Sequence, residues 1–350
     1  MRIAQVSPLH ESVPPQYYGG TERVVSYLTE GLVARGHDVT LFASGDSSTT
    51  ARLVRAGPRA LRLNGGGQDA IAHHLVMLEE VVRQSTQFDV VHFHCDYLAF
   101  PFARRMRTPT LSTMHGRLDL DELELVYREY GEVPLVSISD AQRTPRPTAN
   151  WMATVYHGVP MELYGFQPEP GTYLAFIGRI SPEKGVDRAI EVARLSGVPL
   201  RIAAKVDPKD RDYYEAVIRP LIDGSLVQYV GELSEHEKSP FLGGALALLF
   251  LIDWPEPFGL AMIESMACGT PVVAVPRGSV PEILDHGTTG LLVPSVEGAV
   301  EALELVSSLD RRLCRQAFEE RFSVERMVRD YEAVYRETAR DVLRRRVSVA

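Results

Sequence analysis

The segment richest in chemistry runs Glu256-Pro257-Phe258-Gly259-Leu260-Ala261-Met262-Ile263-Glu264. Pro257 and Gly259 shape a turn at which the N–H groups of Phe258, Gly259 and Leu260 can meet a phosphate where a helix begins. Glu256 and Glu264 bracket that anion site. A carboxylate beside a phosphate repels it, so the use of these two acids is to accept from neutral hydroxyls; Glu256, set within Pro-Glu-Pro, has no capping use. An earlier loop, Gly178-Arg179-Ile180-Ser181-Pro182-Glu183-Lys184-Gly185, brings a planar guanidinium and a compact ammonium to the exit of an apolar run, a pairing suited to a diphosphate. Taken alone, such a pair is ordinarily surface charge. A third loop, Tyr18-Gly19-Gly20-Thr21-Glu22, precedes a helical pattern and reads either as backbone open to an anion or as a helix start capped by Thr21. Anion donors flanked by hydroxyl acceptors describe a site for a nucleotide sugar.

Such groups need elements to hold them. β-Branched runs recur at Ile3 to Ser7, Val39 to Ala43, Val90 to His94, Thr110 to Thr113, Leu135 to Ile138 and Ala153 to Tyr156. Helical patterns lie between, as with Val24, Leu28 and Leu32 stopped by Gly36, and Ile71, Leu75, Leu78 and Val82. Alternation of this kind means a parallel sheet. After the breakers His157-Gly158-Val159-Pro160 and Gln167-Pro168-Glu169-Pro170-Gly171 it restarts, with Leu174 to Ile177, Leu200 to Ala204, Val227 to Val230, Leu246 to Leu251, Val272 to Val275 and Leu291 to Val293. The expected α/β organisation is two doubly wound, Rossmann-like domains, 1–160 and 171–323, facing a deep cleft. A final amphipathic helix and tail, 324–350, carry Val324, Met327, Tyr331 and Val334 and are expected to cross back. Ligands of open parallel sheets bind beyond the carboxyl ends of the strands, which is where all three loops fall.

Composition removes other classes. The chain has 350 residues, 45% hydrophobic and 24% charged, which fits a globular protein of about two domains. Lys plus Arg number 37 against 46 for Asp plus Glu, a net charge of −9 that gives no global attraction to nucleic acid. Arg344, Arg345 and Arg346 near the end read as a solvated terminus rather than an anionic contact. The longest apolar run, Ala245 to Ile252, is far short of the roughly 20 residues of a membrane span. With Cys95, Cys268 and Cys314 unpaired in spacing and no secretory signal, a cytoplasmic location is expected. There is no GxxxxGK[ST], GxGxxG after the first strand, GxSxG or HExxH.

The motifs Gly19-Gly20-Thr21-Glu22, His115-Gly116, Gly178-Arg179 to Lys184-Gly185, and the two glutamates eight apart stand in an order that resembles the retaining glycosyltransferases of family 4, over nearly the whole chain. The resemblance implies the GT-B architecture and transfer of a hexose from a UDP- or GDP-sugar to a hydroxyl acceptor, by a front-face mechanism without a metal. It implies that Arg179 and Lys184 hold the donor diphosphate and that Glu256, with the backbone of Phe258, Gly259 and Leu260, positions the sugar. Glu264 would hold the ribose, Gly19 and Gly20 would approach the donor, and His115 would lie beside the sugar or serve only structure. The nucleotide sugar is then a co-substrate and no cofactor is expected. The acceptor, a small molecule, a lipid-linked group or a glycan, is not identified; Asp96 and Asp119 are its candidates by position.

The chain departs from the pattern at His157-Gly158-Val159-Pro160, where the family often has Asn-Gly-Val-Asp, and His157 is given no catalytic role. His92 and His94 share one face of a strand and could ligate a metal, but spacing places no third ligand. Asp119-x-Asp121 is expected to open a helix rather than hold an ion. Rival readings are a sugar-nucleotide epimerase and a non-enzymatic nucleotide-sugar-binding subunit.

Overall fold

The computed structural model describes residues 1–63 and 69–347, the side chains of residue 63 and of 341–347 excepted, so the side chains of Arg344, Arg345 and Arg346 lie outside the described residues. The chain divides into two compact units, Met1–Gly158 with Val324–Ala350, and Val159–Ser323.

The first unit holds a parallel sheet of seven strands: β1 (Arg2–Val6), β2 (Asp38–Ala43), β3 (Arg52–Arg55), β4 (Val90–Phe93), β5 (Thr110–Thr113), β6 (Leu135–Ser137) and β7 (Trp151–Thr154). Their spatial order is β3-β2-β1-β4-β5-β6-β7. Both faces of the central strands are covered, so Ile3, Ala4, Gln5 and Val6 are all buried, as are Val90 to Phe93. β3 was not expected from the sequence: Arg-Leu-Val-Arg is a half-buried edge strand whose charged ends conceal its two apolar residues.

The second unit repeats the plan with β8 (Tyr173–Arg179), β9 (Leu200–Lys205), β10 (Val227–Gly231), β11 (Ala245–Phe250), β12 (Val272–Ala274) and β13 (Gly290–Leu292), ordered β10-β9-β8-β11-β12-β13. Leu174, Phe176, Leu200, Ile202, Ala247 and Leu249 form its core with Val186, Ile190 and Ala193 of the helix Val186–Ser196. In each sheet the first strand in sequence lies between the second and a later one. The order reverses at β1/β4 and at β8/β11, and crevices beyond such reversals are where this kind of sheet binds ligands.

The chain divides after Gly158, inside the first breaker run, and the later breakers are tied into the second unit: the Gln167 amide donates to Cys268 O at 3.0 Å and the Gly171 amide to Ala245 O at 3.3 Å. The helix Val324–Val347, expected to cross back, groups with the first unit and completes it. Its stripe of Met327, Val328, Tyr331 and Tyr335 is buried, and Val328 sits so close to Gly31 of the helix Gly20–Ala34 that a Cβ there would lie 2.6 Å from its Cγ2.

An ion cluster fastens this last helix. Glu332, almost buried, accepts from Arg35 at 2.8 and 3.0 Å, meets His37 Nε2 at 2.9 Å and takes Arg336 at 3.1 Å. The Arg35 guanidinium chiefly holds its carboxyl down at about 2, below the ordinary 4.5. A depressed carboxylate stabilises the fold above its unfolded value and loses that contribution as pH falls through its folded value. Acid titration of stability by denaturant midpoint is therefore expected to show a loss between about pH 4.5 and 2 that Glu332→Gln lacks. At pH 7 that variant is expected to be less stable by about 1–2 kcal/mol, a figure reduced by solvent around the half-exposed Arg35.

Candidate active site

In the second unit the loop after β8 and the loop after β11 meet across the reversal. Lys184 Nζ lies 2.6 Å from Glu256 Oε2, with both side chains largely withdrawn from water. Trp254 Nε1 donates to the same oxygen at 3.0 Å, and the Lys184 ammonium sits 4.5 Å from the centre of the Trp254 ring, a cation–π contact. Arg179 leaves β8 and donates to Glu183 Oε1 at 2.5 Å, with Asp210 Oδ2 3.3 Å from its Nε. The two predicted cations thus stand at one strand exit, each already beside a carboxylate.

Glycines set these positions. Gly185, at φ +71°, begins the helix Val186–Ser196, and a Cβ on it would lie 2.0 Å from Leu251 O, so the two loops touch through bare backbone. Asp253 N donates to Glu183 O at 2.8 Å alongside. Gly259, at φ +86°, caps the helix Leu260–Ala267, whose first N–H groups have no acceptor within the helix. Phe258 faces inward, its ring 6.2 Å from that of Phe322, and its carbonyl accepts from Ser279 Oγ at 2.8 Å. Glu264 lies one to two turns into this helix, buried, and accepts from Lys238 Nζ at 2.7 Å. Each of the two glutamates is therefore held by a lysine from another element.

In the first unit Gly19 precedes the helix Gly20–Ala34 as its N-cap, without any side-chain cap bond, so Thr21 is not the cap. A Cβ on Gly19 would lie 2.8 Å from Pro15 Cβ, which explains a glycine there; Gly20 is exposed. Glu22, one turn on, is buried, accepts from the Glu11 amide at 3.2 Å, and burial pushes its carboxyl up to about 7.

His115 follows β5. Its backbone is bracketed by Gln142, whose Nε2 donates to Met114 O at 2.9 Å and Gly116 O at 2.8 Å. Its Nε2 is 2.8 Å from His94 Nδ1, and its ring stacks on that of His157 at 5.3 Å. Its Nδ1 is buried without a hydrogen-bond partner among the described residues, and burial drives its pKa down to about 3. Asp96, at φ +48°, turns a carboxylate oxygen to the His115 amide at 3.4 Å, and burial raises its pKa to about 6.

Some readings change. Asp119 opens no helix: the helix there is Leu123–Glu129, and Asp119 forms a bidentate pair with Arg117 at 2.7 and 2.7 Å, because a nearby guanidinium outbids a helix start four residues away. His92 is hydrogen-bonded at both ring nitrogens, to Tyr335 and to Thr113, and no group of three or more metal-ligating side chains occurs among the described residues. All three cysteines are buried. Sequence reasoning missed Trp254, Lys238 and Gln142. Trp254 had a signal in lying two residues before Glu256; Lys238 and Gln142 had none, since only folding brings them to their partners. A cavity of about 180 Å³ lined by Arg104, Met106, Pro134, Asn150 and Thr338 includes Pro109, just before β5, and so lies away from the strand exits.

Gly278 supplies a test of this arrangement. At φ +58°, a Cβ on it would lie 2.4 Å from both N and O of Glu256, whereas Gly287, at φ +81°, has open space around it. Gly278→Ala is expected to cost about 1–3 kcal/mol in denaturant titration and to weaken binding of a nucleoside diphosphate in calorimetry. Gly287→Ala should bring backbone strain without loss of binding.

Two family models match in succession. That of the glycosyltransferase family 4 covers residues 18–179, and that of the glycosyl transferases group 1 covers 166–321. The phosphatidyl-myo-inositol mannosyltransferase of Mycobacterium leprae (strain TN) is 26% identical over 91% of this chain and 90% of its own. AviGT4, a glycosyltransferase involved in avilamycin A biosynthesis, superposes with a TM-score of 0.75 at 24% identity, over 97% of this chain and 98% of its own. Anabaena Alr3699/HepE, solved in complex with UDP and glucose, gives 0.75 at 16% identity, over 95% and 98%. Among the described residues no helix is long and apolar enough to cross a membrane. With two Rossmann-like sheets in succession and both models matched in order, the chain belongs to the family 4 glycosyltransferases of the GT-B fold.

Proposed function

We propose that this glycosyltransferase moves a hexose from a UDP- or GDP-sugar to a hydroxyl acceptor with retention of configuration. The observation that carries the proposal is the meeting of Arg179, Lys184, Glu256 and the start of the helix Leu260–Ala267 at the β8/β11 reversal. Cations and helix amides there suit a leaving diphosphate, while Glu256 suits sugar hydroxyls. The Mycobacterium leprae relative, named a mannosyltransferase, and the fold's occurrence in a protein solved with UDP and glucose support this class of donor.

In this reading the anomeric C–O bond to the diphosphate breaks first, and positive charge develops on the sugar. The acceptor oxygen bonds to the anomeric carbon on the face just vacated, and its proton passes to the departing phosphate oxygen. No protein base is needed. Arg179 and Lys184 meet the charge growing on the diphosphate, so the reaction runs without a metal ion and turnover persists in a chelator. Phe258, Gly259 and Leu260 offer backbone to the donor, Glu264 takes the ribose hydroxyls, and Gly19 and Gly20 give backbone access from the first unit. His115 and Asp96 serve the sugar and acceptor; Asp119, tied to Arg117, serves only by ordering its loop.

Incubation with UDP- and GDP-hexoses should release the nucleoside diphosphate with the anomeric configuration retained in the product. An epimerised donor would favour an epimerase, and binding without turnover a non-enzymatic subunit. Arg179→Ala and Lys184→Ala should each keep the fold, read by circular dichroism, and lose about two to three decades in turnover; near wild-type rates in either would remove them from the mechanism.

A further inference from the structure

Behind His115 runs a string of buried polar groups that the proposed transfer does not use. His94 Nε2 lies 2.8 Å from Gln5 Oε1, and Gln5 Nε2 donates to Tyr335 Oη at 2.8 Å. Tyr335 Oη also lies 2.8 Å from His92 Nδ1, and His92 Nε2 lies 2.7 Å from Thr113 Oγ1. Gln5, His92, Thr113 and Tyr335 are fully buried and His94 nearly so. Strands β1, β4 and β5 and the last helix thus share one network inside the first unit.

Its hydrogens have a direction. An amide oxygen only accepts, so His94 carries its hydrogen on Nε2. Burial holds His94 far below its ordinary pKa, so the ring is neutral and its Nδ1 must accept. The hydrogen in the contact at 2.8 Å therefore belongs to His115 Nε2. The opposite amide orientation reverses the whole string and ends on a buried N–H at His115 Nδ1 without a partner, costlier than a bare nitrogen lone pair.

We infer that Gln5, held by Tyr335, is a positioning residue that acts through His94 to present His115 Nδ1 as a hydrogen-bond acceptor, fitted to a hydroxyl of the sugar or acceptor rather than to a phosphate oxygen. The assignment of the ligand to His115 rests on the proposed transfer; the direction of the string does not.

Histidine-selective ¹⁵N labelling and long-range ¹⁵N–¹H correlation of the ligand-free enzyme read the tautomers, with His94→Asn and His115→Asn identifying the signals. The wild type should show both rings with hydrogen on Nε2 and bare Nδ1. Gln5→Met should give mixed tautomers at both rings and lower kcat/KM for UDP-glucose or GDP-mannose by up to about a hundredfold. Tyr335→Phe, which frees the amide to rotate, should mix them in part and serves if Gln5→Met does not fold. Hydrogen on Nδ1 of His115 in the wild type, or unchanged tautomers in the variants, would overturn the inference. A wild type with these tautomers that turns over no sugar nucleotide would instead overturn the proposed transfer alone.

Discussion

An ammonium and a carboxylate 2.6 Å apart at the end of a parallel sheet organise the second unit. Two charges withdrawn from water are tolerated only when matched, and matching them fixes the loops that carry them. Lys184 arrives by a loop that must pass bare backbone against Leu251, and Glu256 by a turn pressed on Gly278. Trp254 closes the pair from the side with one N–H and one ring face. The ammonium and the carboxylate compensate one another, and the contacts on either side leave the two loops ordered by the fold itself.

The first unit solves a different problem. Its sheet is covered on both faces, yet polar residues stand in the middle of its central strands: Gln5 in β1, His92 in β4 and Thr113 in β5. Unpaired, each would cost on the order of 1–3 kcal/mol, and they are paired with one another and with tyrosines of the last helix. The hydroxyl tips of Tyr331 and Tyr335 make that helix specific to this sheet as well as apolar enough to cover it. Glu332 on its rim adds an ion pair with Arg35 and a close polar contact with His37.

Most of the scaffold was legible because parallel strands buried on both faces leave unbroken β-branched runs. Twelve of those runs became strands, while the edge strand Arg52–Arg55 escaped notice because its charges interrupt the run. The grouping of the candidate site's residues was legible where they are local in sequence: Glu256, Phe258, Gly259, Leu260 and Glu264 lie within nine residues, and Arg179 with Lys184 within six. Lys238, Gln142 and Gln5 were not, since each acts on a partner at least 26 residues away. Gln5 alone left a trace, an amide set between the apolar Ala4 and Val6. Asp119 misled because acids before a helical pattern look alike whether they cap it or bind an arginine two residues back.

The second unit is contiguous in the chain and the first is not. Val159 donates its amide to Phe322 O at 3.0 Å, so the second unit begins and ends at one point, like an insertion spliced into its host. During synthesis on the ribosome everything the second unit needs has emerged once Ser323 is out, whereas the first sheet waits, with Gln5, His92 and Thr113 lacking their tyrosines, until the final helix is made. The domain begun first is therefore the one finished last, and any chain cut short after the second unit would carry that unit whole and the first unsealed.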